Sequence, residues 1–162
     1  MTHCELKEAL RQFRISLAVT VPVSGSHEAS AACHNDIGKV LIRQGKYDDA
    51  LREHRRALSM YRNLLGENHV LVALFHSMIG VALCHKSQCD LAMEEHLKAM
   101  EIFKENFNEC QEMAGIHSSM GDVLRHQENF DASLQQHQHA LSMRESILGA
   151  GHVLTVESHR KN

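Results

Sequence analysis

The stretch His34-Asn-Asp-Ile-Gly38 returns as His76-Ser-Met-Ile-Gly80 and again as His117-Ser-Ser-Met-Gly121, and the three glycines are 42 and 41 residues apart. A downstream stretch repeats with the same period, as Ala50…His54…Ala57-Leu58, Ala92…His96…Ala99-Met100 and Ser133…His137…Ala140-Leu141. Agreement at this many positions in three copies indicates a repeat protein, in which each copy is one structural unit.

Each copy predicts two helices. A stripe with spacing i, i+3, i+4, i+7 runs through His34, Ile37, Gly38 and Leu41. Gly45-Lys46 interrupts it, and the acidic Asp48 and Asp49 favour the start of a second helix. Gly66 is suited to end that helix in a left-handed conformation. Small residues stand at matching places in the two helices. We expect close helix contacts at the pairs Gly38–Ala50, Gly80–Ala92 and Gly121–Ser133, where a bulky side chain would cost about 1–3 kcal/mol.

This pattern resembles the tetratricopeptide repeat family. The family's first-helix glycine falls on Gly38, Gly80 and Gly121, and its second-helix alanines fall on Ala50, Ala92, Ala57, Ala99 and Ala140, with Ser133 as a departure. The unit is longer than the usual repeat of about 34 residues. The linkers Leu65–His69 and Leu148–His152 resemble the kinesin-light-chain-type subclass, although Val70 and Val153 replace its proline. Histidines replace the family's large aromatic residues. The resemblance implies an all-α solenoid, a right-handed superhelix of stacked antiparallel helix pairs.

The copies divide the chain into one array. We predict the second helix of a truncated repeat over 5–27, full repeats over 31–72, 73–113 and 114–154, and the start of a further repeat over 155–162. Solenoid ends normally carry a polar cap, because an uncapped end exposes core residues. Neither end of this sequence has such a cap. We therefore hypothesise a segment of a longer array, with self-association through its uncapped ends.

Composition supports helices and excludes several classes of function. The chain has 162 residues, a net charge of −3, one proline and 4% aromatic residues, which favours helices over sheets. The charge balance argues against nucleic-acid binding and against attraction to anionic membranes. No apolar run approaches the roughly 20 residues that cross a bilayer. Five cysteines without a C-x-x-C pair and a polar N-terminus favour a reducing, cytoplasmic location.

The fourteen histidines raise the question of a metal site. Ten of them stand at repeat-equivalent positions, which are normally packing positions: His34, His76, His117, His54, His96, His137, His85, His126, His69 and His152. No zinc-binding spacing is present, so we predict structural histidines, with adventitious metal binding and a true metal site as the two alternatives. No nucleophile motif or phosphate loop occurs. We predict no enzyme, no catalytic residue and no cofactor.

One face of the first helices is the best candidate for a binding surface. One turn round from the core stripe, amide, hydroxyl, cationic and small apolar side chains stand in register. They are Asn35, Lys39, Ile42 and Arg43; Ser77, Val81, Cys84 and His85; and Ser118, Asp122, Arg125 and His126. The resemblance implies that first helices line the concave side. Such a row can hydrogen-bond an extended peptide and pair with its carboxylates.

Two functions follow from this sequence. The first is a protein-interaction scaffold that binds a peptide or partner protein in the concave groove, with a mild preference for acidic peptides. The second is an architectural spacer or self-associating segment of a larger regulatory protein, in which the row is an ordinary solvated face. A further expectation concerns pH: buried imidazoles resist protonation, so buried His54, His96 and His137 would lower stability as the pH falls toward 5.

Overall fold

The computed structural model describes residues 3–23, 27–107 and 110–148, and all regular structure within those ranges is α-helical. The helices are α1 (His3–Val23), α2 (His27–Arg43), α3 (Tyr47–Leu65), α4 (Val70–His85), α5 (Cys89–Asn106), α6 (Gln111–His126) and α7 (Phe130–Leu148). The predicted segment 155–162 lies outside the described residues, as does the linker residue His152. None of the described helices combines the length and the apolar character needed to cross a membrane.

The helices pack in sequence order. The pairs α2–α3, α4–α5 and α6–α7 make the most extensive contacts, and α1 packs against α2. Each pair then packs on the next through α3–α4 and α5–α6, and α4 also contacts α6. Neighbouring pairs thus cover one another's apolar faces, as in other solenoids. The predicted all-α solenoid of stacked helix pairs is confirmed.

The core runs along this stack. A small cluster joins α1 to the first pair through Leu6, Leu10, Ile37, Leu41 and Ala50. A larger cluster continues through the remaining helices, with Phe103 of α5 and Ile116 of α6 almost completely buried at its centre. Because most of the core lies between adjacent helices, each pair depends on its neighbours for burial.

The turn inside each helix pair has the same backbone geometry in all three copies. Gly45, Ser87 and Glu128 have φ angles of 72°, 59° and 60°, in the left-handed region. The next residue closes each turn, since the amides of Lys46, Gln88 and Asn129 donate to the carbonyls of Leu41, Leu83 and Leu124 at 2.9–3.0 Å. This is the helix-ending pattern that normally selects glycine. Two copies therefore hold a non-glycine residue in a strained conformation.

The nearest neighbours of the first-helix glycines are the histidines of the second helices. A Cβ atom built on Gly38 would lie 2.5 Å from Cε1 of His54, and the equivalent distances are 2.7 Å for Gly80 with His96 and 2.8 Å for Gly121 with His137. The imidazole fills the space above each glycine, so a larger side chain there would overpack the pair, and the close approach of Ala50 to Gly38 and of Ala92 to Gly80 stays a prediction. In the third copy Ser133 also contacts its predicted partner, because its hydroxyl donates to the Gly121 carbonyl at 2.8 Å.

Candidate functional site

The side chains of the predicted row differ widely in exposure. Lys39, Arg43, His85, Arg125 and His126 are exposed. Asn35, Ile42, Val81 and Asp122 are half-buried. Ser77 and Ser118 are 8% and 7% exposed, so they supply no accessible hydroxyl, and Cys84 is similarly covered. Helical spacing determines the direction in which a side chain leaves its helix. The neighbouring helices determine whether that side chain is buried.

The second and third copies bring their part of the row together. A hollow of about 170 Å³ lies between α4, α5 and α6. Six predicted residues line it, namely Val81, Cys84, His85, Asp122, Arg125 and His126. The row residues of α2 do not line this hollow. The row is therefore not uniform, since this hollow is lined by its residues on α4 and α6 only.

Two residues of the hollow were missed from the sequence. Ser119 lies next to Ser118 on α6, one position away from the predicted row, and its hydroxyl donates to the Gly115 carbonyl at 3.1 Å. His96 of α5 was assigned to packing alone, yet it also lines the hollow. The sequence did carry a signal for Ser119. Met78 stands at the equivalent position of the preceding copy, and the serine is much smaller. No pattern in the sequence indicated the second role of His96.

The cations of the row are partly neutralised by acids on their own helices. A guanidinium nitrogen of Arg125 lies 3.7 Å from a carboxylate oxygen of Asp122, and Lys39 Nζ lies 3.5 Å from Asp36. Exposed pairs of this kind contribute little to stability. They do reduce the positive field that an approaching ligand would meet. His85 stacks on Tyr47 of the preceding pair, with ring centroids 5.1 Å apart.

The second-helix histidines are buried as predicted. His54 and His96 are 0% exposed and His137 is 4% exposed. The ring nitrogens of His54 and His96 have no hydrogen-bond partner. Burial lowers the pKa of both rings to about 4; nearby Lys39 lowers that of His54 further, while Glu53 and Glu95 oppose the shift for their neighbouring rings. Both imidazoles are therefore neutral near pH 7.

The first-helix histidines instead join the two helices of each pair. Nδ1 of His34 lies 2.6 Å from Glu53, and Nδ1 of His76 lies 2.6 Å from Glu95. Burial alone would raise the pKa of Glu95, but hydrogen bonds from His76 and Lys98 outweigh it and lower the pKa to about 2. The glutamate is therefore ionised and holds the two helices through a charge-assisted contact.

The third copy has an uncharged version of this contact. Nδ1 of His117 lies 2.8 Å from the amide oxygen of Gln136. His139 packs edge-on against the same ring, with centroids 4.4 Å apart. Burial, together with His139 and Lys104, lowers the pKa of His117, and the bond to Gln136 opposes that shift.

Other histidines do not fit the packing prediction. His85 and His126 are exposed. His69 caps α4, since its Nδ1 accepts from the Leu71 amide at 3.2 Å. Across residues 3–23, 27–107 and 110–148, no three His, Cys, Asp or Glu side chains are grouped so that they could hold a metal ion. Burial raises the pKa of the Cys84 thiol, which disfavours a reactive thiolate there.

Comparison with models of protein families identifies the same family that the repeat pattern resembles. A model described as a tetratricopeptide repeat matches residues 4–63 and 30–105, and a second model of the same description matches residues 118–154. Among curated proteins, none matches this sequence.

Several solved structures share the fold. BtubC (BKLC) from P. vanneervenii has a TM-score of 0.76 at 20% identity, over 90% of this chain and 59% of that one. A putative kinesin light chain from Podospora anserina with nearly identical TPR-like repeats has a TM-score of 0.74 at 11% identity, over 96% and 75%. The N-terminal domain of stress-induced protein-1 from C. elegans has a TM-score of 0.58 at 14% identity, over 85% and 98%. This chain thus spans 59% of the length of BtubC.

Proposed function

The chain belongs to the tetratricopeptide repeat family, with the fold of the kinesin-light-chain-like arrays, and on that premise we propose that it binds an extended peptide of a partner protein along α2, α4 and α6. The general role of such repeats is that of a protein-interaction scaffold. The peptide site is our addition, and it includes no catalytic step. We place the protein in the cytoplasm on the cysteine pattern alone.

The observation that carries this proposal is the convergence of row residues around one hollow. Val81 and His85 of α4 face it from one side, and Asp122, Arg125 and His126 of α6 face it from the other. Because these helices belong to successive repeats, a peptide lying across them would contact both. Contact between α4 and α6 supports placing the first helices on the inner side of the array.

Charge gives the proposed site a mild preference for acidic peptides. Lys39, Arg43 and Arg125 supply cations along its length, and Asp36 and Asp122 offset part of that charge. We expect a peptide carboxylate to compete with those acids for the guanidinium of Arg125, because a bidentate contact is stronger than a pair at 3.7 Å. The preference should weaken as salt is added.

Selection from a random-peptide library displayed on phage tests this function. The affinity of an enriched peptide is then measured for the wild type and for Arg43→Glu/Arg125→Glu. We expect a loss of at least tenfold, with helical content unchanged by circular dichroism. The matched control is Arg11→Glu/Arg55→Glu, two exposed arginines on α1 and α3, of which Arg11 also pairs with an acid on its own helix. Equal losses in both variants would contradict a site on the first helices.

The alternative function is an architectural or self-associating segment. Phe130 and Leu134 of α7 are 63% and 39% exposed, and this apolar face favours contact with another protein molecule or domain. Under this alternative the library yields no peptide whose affinity depends on Arg43 and Arg125.

A further inference from the structure

The last helix pair carries a second concave surface, which lies between α6 and α7. Its volume is about 500 Å³. Phe130 and Leu134 of α7 give it exposed apolar surface, and Asp131 stands beside them in the first turn of the helix. Asp122 and Arg125 line it from α6. An exposed apolar surface with charged groups at its edge is typical of a site that another protein covers.

The first junction of the array shows what lies over the equivalent surface of an earlier pair. Tyr47 of α3 stands at the repeat position of Phe130. It stacks on His85 of α4, with ring centroids 5.1 Å apart and ring planes 7° apart. Leu51, which is equivalent to Leu134, is buried. Because α4 packs on α3, the next first helix offers a ring at this position of the repeat.

Both internal junctions also place a hydrogen-bond donor opposite an aspartate. Nζ of Lys86 lies 2.5 Å from Asp48, and Nε2 of Gln127 lies 2.9 Å from Asp90. Each donor follows the last residue of a first helix, and each acid lies in the first turn of the preceding second helix. Asp131 is the third copy of that acid, and it is exposed. A helix that covers it therefore needs a donor at the same place.

The charges on the surface favour a cation as that donor. Asp122 and Arg125 lie 3.7 Å apart, so their charges largely compensate each other. The carboxylate of Asp131 is then the remaining charge among the aspartate and arginine side chains that line the surface. A cation in the last turn of a docking helix would also be stabilised by the dipole of that helix. Lysine and arginine thus fit this position better than an amide.

We propose that the surface between α6 and α7 docks an amphipathic helix of a partner protein, whose last turn carries an aromatic or imidazole ring followed directly by a lysine or arginine. The ring stacks on Phe130, the cation pairs with Asp131, and the apolar face of the helix covers Leu134. The partner helix thus takes the place that α4 has on α3. This inference does not depend on the peptide site across α4 and α6, because its three contact residues belong to α7. Without such a partner the surface stays exposed, and the chain is free to associate through it.

A peptide with the sequence of α6 is the probe, because α6 already packs on the equivalent surface of α5 within the chain. The peptide spans residues 110–128 and is made in two versions, Gln127→Lys and Gln127→Glu. These place a cation or an anion directly after the imidazole of His126. Binding to the full chain is followed by NMR at pH 7.5, at a protein concentration where sedimentation shows monomers.

The position of the bound peptide and its charge preference are the two readouts. We expect the Gln127→Lys peptide to shift the amide signals of Phe130, Asp131 and Leu134. It should bind at least fivefold more tightly than the Gln127→Glu peptide, because the glutamate places a like charge opposite Asp131. Added salt should reduce this difference, since the charges are exposed.

Three variants of the chain test the two contacts. Asp131→Lys should reverse the preference, so that the Gln127→Glu peptide binds more tightly. Phe130→Ala should weaken binding of both peptides at least fivefold. The matched control is Glu105→Lys, which makes the same change of charge at an exposed acid on α5 and should behave like the wild type. Circular dichroism and thermal unfolding establish that each variant is folded before binding is measured.

The outcomes distinguish this docking surface from the proposed peptide site. Failure of both peptides to bind, equal binding of both, or a preference that Asp131→Lys leaves unchanged would overturn the docking surface. Shifts at Val81 and Cys84 in place of α7 would assign the peptide to the hollow. Self-association that excess Gln127→Lys peptide does not reduce would assign the surface to a second copy of the chain. A reversed preference supports the docked helix, even if Arg43→Glu/Arg125→Glu leaves the selected peptides unaffected.

Discussion

At the scale of the residue, the equivalent histidines His54, His96 and His137 have different neighbours. Lys39, Val81 and Asp122 each follow a first-helix glycine, so a cation, an apolar group and an anion occupy one repeat position. Asp122 lies 3.8 Å from Nε2 of His137, whereas Lys39 lowers the pKa of His54. A shared position in the repeat therefore does not give the three imidazoles a shared chemistry.

Acid should destabilise the fold through His54 and His96. Their folded-state pKa is about 4, whereas an imidazole in the unfolded chain titrates near 6.5. Between these pH values the unfolded chain binds more protons, so the free energy of unfolding falls as the pH is lowered. We expect about 2 to 3 kcal/mol less stability at pH 5.5 than at pH 7.5 from the two residues together, measured by urea denaturation.

His54→Phe/His96→Phe is the control for this pH dependence. It keeps a ring against Gly38 and Gly80 but removes the titrating nitrogens. Its stability should change much less between pH 7.5 and 5.5 than that of the wild type, and the other histidines account for the remainder. The same pH dependence in both proteins would show that the two rings are not the source.

Glycine has opposite effects on stability at two positions in the first helices. Gly80→Ala would bring a Cβ atom to 2.7 Å from the His96 ring, so we expect a loss of about 1 to 3 kcal/mol. Gly115→Ala meets no atom within 4 Å, and we expect a gain of about 0.5 to 1 kcal/mol from helix propensity. Urea denaturation at pH 7.5 checks both, and a gain at Gly80 would contradict the imidazole contact.

At the scale of the helical element, the turns differ more in sequence than in structure. Gly45, Ser87 and Glu128 all take positive φ angles, and the turns close with equivalent hydrogen bonds. Packing of α4 on α5 and of α6 on α7 therefore outweighs the preference of serine and glutamate for other conformations.

Replacing the strained residues with glycine should stabilise the protein. A left-handed conformation costs a non-glycine residue about 1–2 kcal/mol, and the greater freedom of glycine in the unfolded chain removes part of the gain. We expect Ser87→Gly and Glu128→Gly each to add about 0.5 to 1 kcal/mol to the free energy of unfolding. The reciprocal control is Gly45→Ala, which should lose a similar amount. The idea fails if all three changes act in one direction.

At the scale of the whole molecule, successive pairs are joined at the turn edge. Tyr47 stacks on His85, Lys86 binds Asp48 at 2.5 Å, and Gln127 donates to Asp90 at 2.9 Å. Each contact joins the start of a second helix to the end of the next first helix. On α7 the equivalent positions hold Phe130 and Asp131, both exposed.

The exposed α7 face predicts association of the chain in solution. Phe130 is 63% exposed and Leu134 is 39% exposed, whereas Leu51, which is equivalent to Leu134, is only 4% exposed. We expect concentration-dependent association by sedimentation equilibrium, which Phe130→Glu/Leu134→Glu abolishes because it places charges on the contact. A wild-type chain that stays monomeric over the whole concentration range would contradict this.

The period of the sequence was sufficient to predict the two-helix unit, the all-α solenoid and the burial of His54, His96 and His137. These features depend on spacing within one helix or between identical copies, which a linear pattern records directly. The contact of Gly38 with His54, the bond of His76 to Glu95 and the covering of Ser77 and Ser118 became visible only in the folded chain. Each of them depends on how far one helix is rotated against another, and the repeat period does not contain that angle.

The hollow has the same origin. Its lining residues come from three helices, and Ser119 became part of it because α6 turns that side chain toward α4 and α5. The sequence alone established the regular features of this protein, because equal spacing repeats the same environment. Only the tertiary structure decided that the contact between the second and third repeats contains a hollow. The size of a cavity depends on the combined volumes of side chains from several helices.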